Sequence, residues 1–174
     1  NRGVRVIVTQ NGFDFTKTNL YSVLLIANDP ALRDPVRYAR IFYIAKFSPG
    51  ISKWMQFACW AEKINGLRRV KGADIPALAN ELDELIMQAN DELSNENNKY
   101  NLFGACFYNM GIIRRGLREY TESAEVQRYA SSWYGLAGNT EMQFVCLFVA
   151  QVEETTAAFV FDNTKMIFDS ITAS

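Results

Sequence analysis

Arginine, lysine and tyrosine are the residues whose placement in this chain could do chemistry, and that chemistry is the binding of phosphates and bases. Residues 33–71 carry nine basic side chains (Arg33, Arg37, Arg40, Lys46, Lys53, Lys63, Arg68, Arg69 and Lys71) against two acids, Asp34 and Glu62, a net of +7. Residues 74–96 carry Asp74, Glu81, Asp83, Glu84, Asp91, Glu92 and Glu96 with no base, a net of −7. Residues 99–118 swing back to +4 through Lys99, Arg114, Arg115 and Arg118. A whole-chain charge of −1 conceals this sorting. Cations gathered into blocks face polyanions, because each phosphate neutralised by Lys or Arg adds affinity without reading sequence.

Three stretches are candidates. The connector Leu67-Arg68-Arg69-Val70-Lys71-Gly72 offers three cations between two helices, with a glycine that lets backbone approach a phosphate. Its ordinary alternative is pairing with the acidic helix that follows. In 112–120, Arg114 and Arg118 are four apart and share a face if the helix continues, with Tyr108 and Tyr120 near enough to line the same groove. Guanidinium groups on phosphates and ring faces under bases are how single-stranded nucleic acid is held. The competing account has half-buried tyrosines, with the arginines paired to Glu119 and Glu122. Arg33, Arg37 and Arg40 fall at i, i+4 and i+7, a basic stripe on the helix after Pro35, with Lys46 and Lys53 flanking the next turn.

Other chemistries are poorly supplied. The chain has no histidine, which removes His bases, Ser-His and Cys-His nucleophiles and His-ligated metals. Cys59, Cys106 and Cys146 lie far apart in apolar segments, the pattern of reduced, buried thiols in a reducing compartment. Asp83-Glu84 and Asp91-Glu92 are carboxylate pairs, but neighbours along a helix diverge and neither has a partner motif. Ser48-Pro49-Gly50-Ile51-Ser52 is a turn and cap rather than a phosphate loop. No enzyme activity, metal or cofactor is expected. No secretory signal opens the chain, and Phe144 to Ala150, the longest unbroken apolar run, falls well short of the ~20 residues that cross a bilayer, so no membrane role is expected. Beginning at Asn1, the chain reads as a trimmed part of a longer protein.

The elements that must position these residues are mostly helical. Val4, Val6 and Val8, then Phe13 and Phe15, flank Asn11-Gly12 and predict a hairpin over 3–16 with that dipeptide as its turn. Leu20, Val23, Leu24 and Ala27 predict a helix ending at Asn28-Asp29-Pro30. Asp34-Pro35 starts a second helix, reaching about Phe47, and Ser52 caps a third that closes at Asn65-Gly66. Leu78, Leu82, Leu85, Ile86, Ala89 and Leu93 mark a helix over 76–94. A segment over 99–119 carries Gly104, Gly111 and Gly116, each costing about 1 kcal/mol in a helix interior, and is expected kinked or split. Another helix stops at Gly135, and Thr140 with Gln143 reads as a capping box for a helix over 141–154, although Phe144–Val149 would also suit a buried strand. Two apolar runs around Asp162-Asn163 read as a second hairpin.

The expected architecture is mainly α: an N-terminal β-hairpin arm over 1–18, one helical core domain over 19–155 and an extended tail over 156–174. The expected role is a non-enzymatic packaging protein for single-stranded nucleic acid, RNA above all, of viral coat or nucleocapsid character, in a virion or the cytoplasm. It would gather its cationic patches into one trough and self-assemble as a homo-oligomer into a ring or helix. The alternative is an α-helical adaptor or regulatory subunit with segregated charged faces.

Overall fold

A computed structural model describes residues 8–30, 33–93 and 99–173. Among them are two short strands, β1 (Val8–Thr9) and β2 (Gly12–Phe13), and seven helices: α1 (Leu20–Ala27), α2 (Pro35–Lys46), α3 (Lys53–Leu67), α4 (Ile75–Glu92), α5 (Lys99–Gly116), α6 (Tyr120–Leu136) and α7 (Thr140–Thr172). The mainly helical class with an N-terminal hairpin is as expected. The chain divides into two compact units, residues 1–102 and 103–174, with the boundary inside α5.

In the first unit, helix starts follow side-chain caps that satisfy otherwise orphaned N–H groups. Asn19 accepts from Ser22 N–H, Asp34 from Val36, Ser52 from Met55 and Asp74 from Ala77. The hairpin turn is one residue earlier than its sequence suggests. Val8 pairs with Phe13 and Thr9 with Gly12, so Gln10-Asn11 form the loop. Gly12 is instead the residue pressed on the body: its φ is +110°, and a Cβ there would come 2.5 Å from Ser48 Oγ and 2.9 Å from Ile44 Cγ2. Phe13 N–H donates to Ser48 Oγ at 3.0 Å and Phe15 N–H to Pro49 O at 3.0 Å. Phe13 and Phe15 join Val23, Ala27, Tyr38, Phe42, Ala45 and Cys59 in one core. The described end of the arm is therefore docked on its own unit; the Val4–Ile7 part of that expectation lies outside the described residues.

In the second unit, α5 runs unbroken through Gly104 and Gly111. Those glycines bring α5 against α6, where added Cβ atoms would come 2.8 Å from the Tyr134 ring and 2.3 Å from Gln127 Nε2. Ser123 Oγ donates to Gly111 O at 2.8 Å and Gln127 Nε2 to Tyr108 O at 3.0 Å, tying the helices at the same place. The expected split is absent, since one helix spans Lys99–Gly116, and close packing at the glycines offsets their propensity cost.

Helices α6 and α7 form an αα-hairpin. The turn that joins them is instructive. At the C-terminus of α6 Gly138 N–H bonds to Gly135 O and Asn139 N–H to Tyr134 O, a Schellman motif with Gly138 at φ +72°. The cap of α7 is Asn139, accepting from Met142 N–H, rather than Thr140. Helix α7 then continues for 33 residues, so the expected tail hairpin at Asp162-Asn163 and the strand over 144–149 are both replaced by helix. Its threonines fit because Thr155, Thr156, Thr164 and Thr172 hydroxyls donate to carbonyls one turn back.

Candidate nucleic-acid interface

Two of the basic stretches meet in the first unit. Asn28 ends α1, with its side-chain amide donating to Leu24 O at 2.9 Å. Asp34 caps α2, leaving Arg33 just outside the helix. The turn after α3 brings in Arg69, whose Nε donates to Asn65 O at 3.2 Å. Arg33 and Arg69, with Asn28, Asp34 and Tyr38, line one open cleft. The Arg69 guanidinium lies 4.7 Å from the centroid of the Tyr38 ring, a cation–π contact that holds it flat. Tyr38 Oη donates to Glu62, and burial, with that carboxylate, raises the hydroxyl above its ordinary range.

Asp34, in the cleft wall, accepts from the α2 N-terminus, and Glu62 accepts from Tyr38 and Asn65. Among the described residues Arg33, Arg37, Arg40, Arg69, Lys71 and Arg118 make no ion pair. All six are exposed. The expected stripe of three arginines on one helix becomes two, because Arg33 precedes α2 and turns to the cleft instead. Lys71 lies in the turn beside Gly72, and Arg68 is the half-buried C-cap of α3.

Other predicted cations have found partners within the unit. Lys53 Nζ lies 2.7 Å from Glu92 Oε2, and Lys63 pairs with Glu81, which also accepts from Trp60 Nε1. Lys46 sits over the Trp60 ring at 4.1 Å, and burial, then the Lys63 charge, lowers its pKa. The acidic face of α4 thus absorbs part of the basic block of α3, while Asp83 and Asp91 stay exposed.

In the second unit the arrangement differs from the expected helical face. Helix α5 ends at Gly116, so Arg114 and Arg118 do not share one. Arg114 Nη1 bonds to Glu119 at 2.9 Å, and Arg115 Nε lies 3.3 Å from Glu153 Oε1. Arg118 closes α5 in a second Schellman motif: Glu119 N–H bonds to Arg114 O, Arg118 N–H to Arg115 O, and Arg118 has φ +64°. That conformation is ordinarily glycine's. Arg118 and Tyr120 line a notch with Glu122, Val160, Phe161 and Thr164, whereas Tyr108 packs with Phe107, Ala130 and Tyr134.

Sequence reasoning missed Tyr38 and Asn28. The signal for Tyr38 was available, since Tyr38 lies among Arg33, Arg37 and Arg40 as Tyr108 and Tyr120 flank Arg114 and Arg118. Among the described residues no group of three His, Cys, Asp or Glu is placed to hold a metal ion. Comparison with protein-family models, with curated proteins and with solved structures finds no match to this chain.

Proposed function

We propose that this chain is a non-enzymatic packaging protein that binds the phosphate backbone of single-stranded nucleic acid, RNA foremost, and self-assembles in the manner of a viral coat or nucleocapsid protein. The observation that carries the reading is the cleft shared by Arg33 and Arg69. Two guanidinium groups from separate stretches of one basic block converge there, neither in an ion pair, one stacked on an aromatic face. A planar, always-charged donor fork suits phosphate, and the tyrosine limits the rotamer entropy lost on binding. Arg37, Arg40 and Lys71 extend the unneutralised surface, and Arg118 with Tyr120 is the counterpart in the second unit. Three buried thiols with no disulfide suit a virion assembled in a reducing compartment.

The test is the affinity of the chain for a homopolymeric RNA oligonucleotide against salt. Each phosphate neutralised on a single strand contributes about −0.7 to the log–log slope. A steep negative slope that flattens in Arg33→Glu/Arg69→Glu supports the reading, and no binding at low salt removes it. The adaptor alternative is favoured by the ion pairs of Arg114 and Arg115. It predicts no RNA binding but a saturable protein partner.

A further inference from the structure

Along α7 one set of positions recurs at alternating spacings of three and four: Gln143, Cys146, Ala150, Glu153, Ala157, Val160, Thr164, Ile167 and Ile171. That is the seam of a helix packed on another helix. Its first part is covered, since Cys146, Ala150 and Glu153 are buried. The second part is bare. Val160, Ile167 and Ile171 are 44%, 53% and 68% exposed, and Phe161 and Phe168 beside the seam are 68% and 65% exposed. Helix α6 has 17 residues and α7 has 33, so the seam outruns its partner by roughly half the helix. The stripe left open is on the order of several hundred Å², at the upper end of what a monomer leaves in water.

We propose that the distal half of α7, residues 157–172, is the self-association surface of this protein, and that a second copy lays its own distal α7 antiparallel along it. Three observations select that occupant. The packing pattern continues in register from an existing helix–helix interface, so what covers it is an apolar helix, and every second copy supplies one. All three distal charges, Asp162, Lys165 and Asp169, project away from the seam, so like charges do not meet across it. An antiparallel partner also carries its own helix C-terminus, the negative end of the helix dipole, to the notch where Arg118 and Glu122 stand beside Ala157 and Val160. A pair related by a two-fold satisfies both notches at once.

By length and composition α7 also passes as a membrane span, with a mean hydropathy of 1.5 over its most apolar window. Its charges argue against lipid. Glu153 and Glu154 sit mid-helix, and no uncharged run exceeds the eleven residues 142–152, whereas ~20 are needed to cross. Nor is the exposed half basic enough for an anionic lipid surface, with one lysine against two aspartates. The inference deepens the assembly part of the proposed function and does not depend on the nucleic-acid part.

Sedimentation equilibrium of the full chain, with RNA binding measured in parallel, tests it. The chain should be dimeric at tens of micromolar, and Ile167→Glu/Phe168→Glu should weaken self-association by roughly 100-fold or more. Asp162→Asn, on the outer side, should leave it unchanged. Circular dichroism of the seam variant should match the parent, because both substituted side chains are exposed. Mixing Ala157→Cys with Ile171→Cys protein under mild oxidation should trap a covalent heterodimer. A monomeric parent, or a seam variant that associates as the parent does, overturns the proposal. So does a 157–157 disulfide formed in preference to 157–171, or seam-dependent flotation with phosphatidylcholine–phosphatidylserine vesicles by a monomeric chain. A monomeric seam variant that still binds RNA supports the surface and leaves the nucleic-acid reading intact. A dimer that binds no RNA supports the surface and removes that reading.

Discussion

Arg115 Nε reaches a carboxylate oxygen of Glu153 at 3.3 Å, joining a side chain 59% exposed to one that is 1% exposed. The pair is asymmetric in consequence. Glu153 has surrendered its hydration and has no hydrogen-bond donor among the described residues beyond this contact. Arg115 keeps most of its water. A buried charge deprived of its partner is expensive, whereas an exposed one is not. Arg115→Met should therefore destabilise the second unit by about 1–3 kcal/mol, and Glu153→Gln by distinctly less. Urea midpoints of the two variants check the order, and equal losses would contradict it.

RNA affinity should divide the arginines by their partners. Arg33→Glu/Arg69→Glu removes two unpaired cations and should reduce the salt slope by about 1.4, together with a tenfold or greater loss of low-salt affinity. Arg114 and Arg115 spend their charge on Glu119 and Glu153. Arg114→Gln/Arg115→Gln should therefore change affinity much less. Fluorescence anisotropy across a salt series measures both.

Helix propensity favours alanine over glycine, yet Gly111→Ala should destabilise. The new Cβ would fall 2.3 Å from Gln127 Nε2 and would break the bond from that amide to Tyr108 O. Overpacking of this kind costs about 1–3 kcal/mol, which exceeds the roughly 1 kcal/mol gained in propensity. A raised melting temperature for this variant would show that α5 and α6 are less closely packed.

Arg118→Gly should do the reverse. The residue holds φ +64° in a C-terminal motif that Gly138 fills elsewhere. Glycine relieves about 1 kcal/mol there. If Arg118 contacts phosphate as proposed, the same change weakens RNA binding. Stability and affinity would then move in opposite directions in a single variant, by thermal unfolding and anisotropy.

Alkaline pH should destabilise the first unit early. Burial, and the nearby Glu62 charge, push the Cys59 thiol from 9.0 up to about 12. The folded state then holds its proton where the unfolded chain has lost it, so stability is full below pH 9 and falls as pH rises toward 12. The Tyr38 hydroxyl is raised too, and acts in the same direction above pH 10. By about pH 10.5 the Cys59 contribution alone is on the order of 2 kcal/mol. Urea midpoints at pH 8 and 10.5 measure this, and Cys59→Ala should flatten the dependence.

Much of this fold is legible in the sequence because its helices announce themselves locally. Asp34 and Ser52 cap where side chain and spacing predict, and the stripe Leu78–Leu82–Leu85–Ala89 gives α4. The cleft was less legible, because Arg33 and Arg69 meet only through the packing of α2 on α3. Local rules could not show that Arg114 and Arg115 would be answered by Glu119 and Glu153, nor that a helix would end two residues before Arg118. The tail was misread for a different reason. Asp162-Asn163 favours a turn when neighbours alone decide, and Ile167 and Phe168 stay exposed on the helix. Gly104 and Gly111 carried a signal of close approach that reads equally well as a break.

Between Thr140 and Thr172 there is neither glycine nor proline. The distal half of α7 is thus a stiff strut, with no joint between the part packed on α6 and its far end. Each residue advances it by about 1.5 Å and turns it by about 100°. A single insertion after Ala157 would swing Val160, Ile167 and Ile171 off their line, whereas an insertion of seven would restore their bearing and lengthen the reach. In the proposed pairing the helix works as a gauge, setting the interval between the two copies by counting residues.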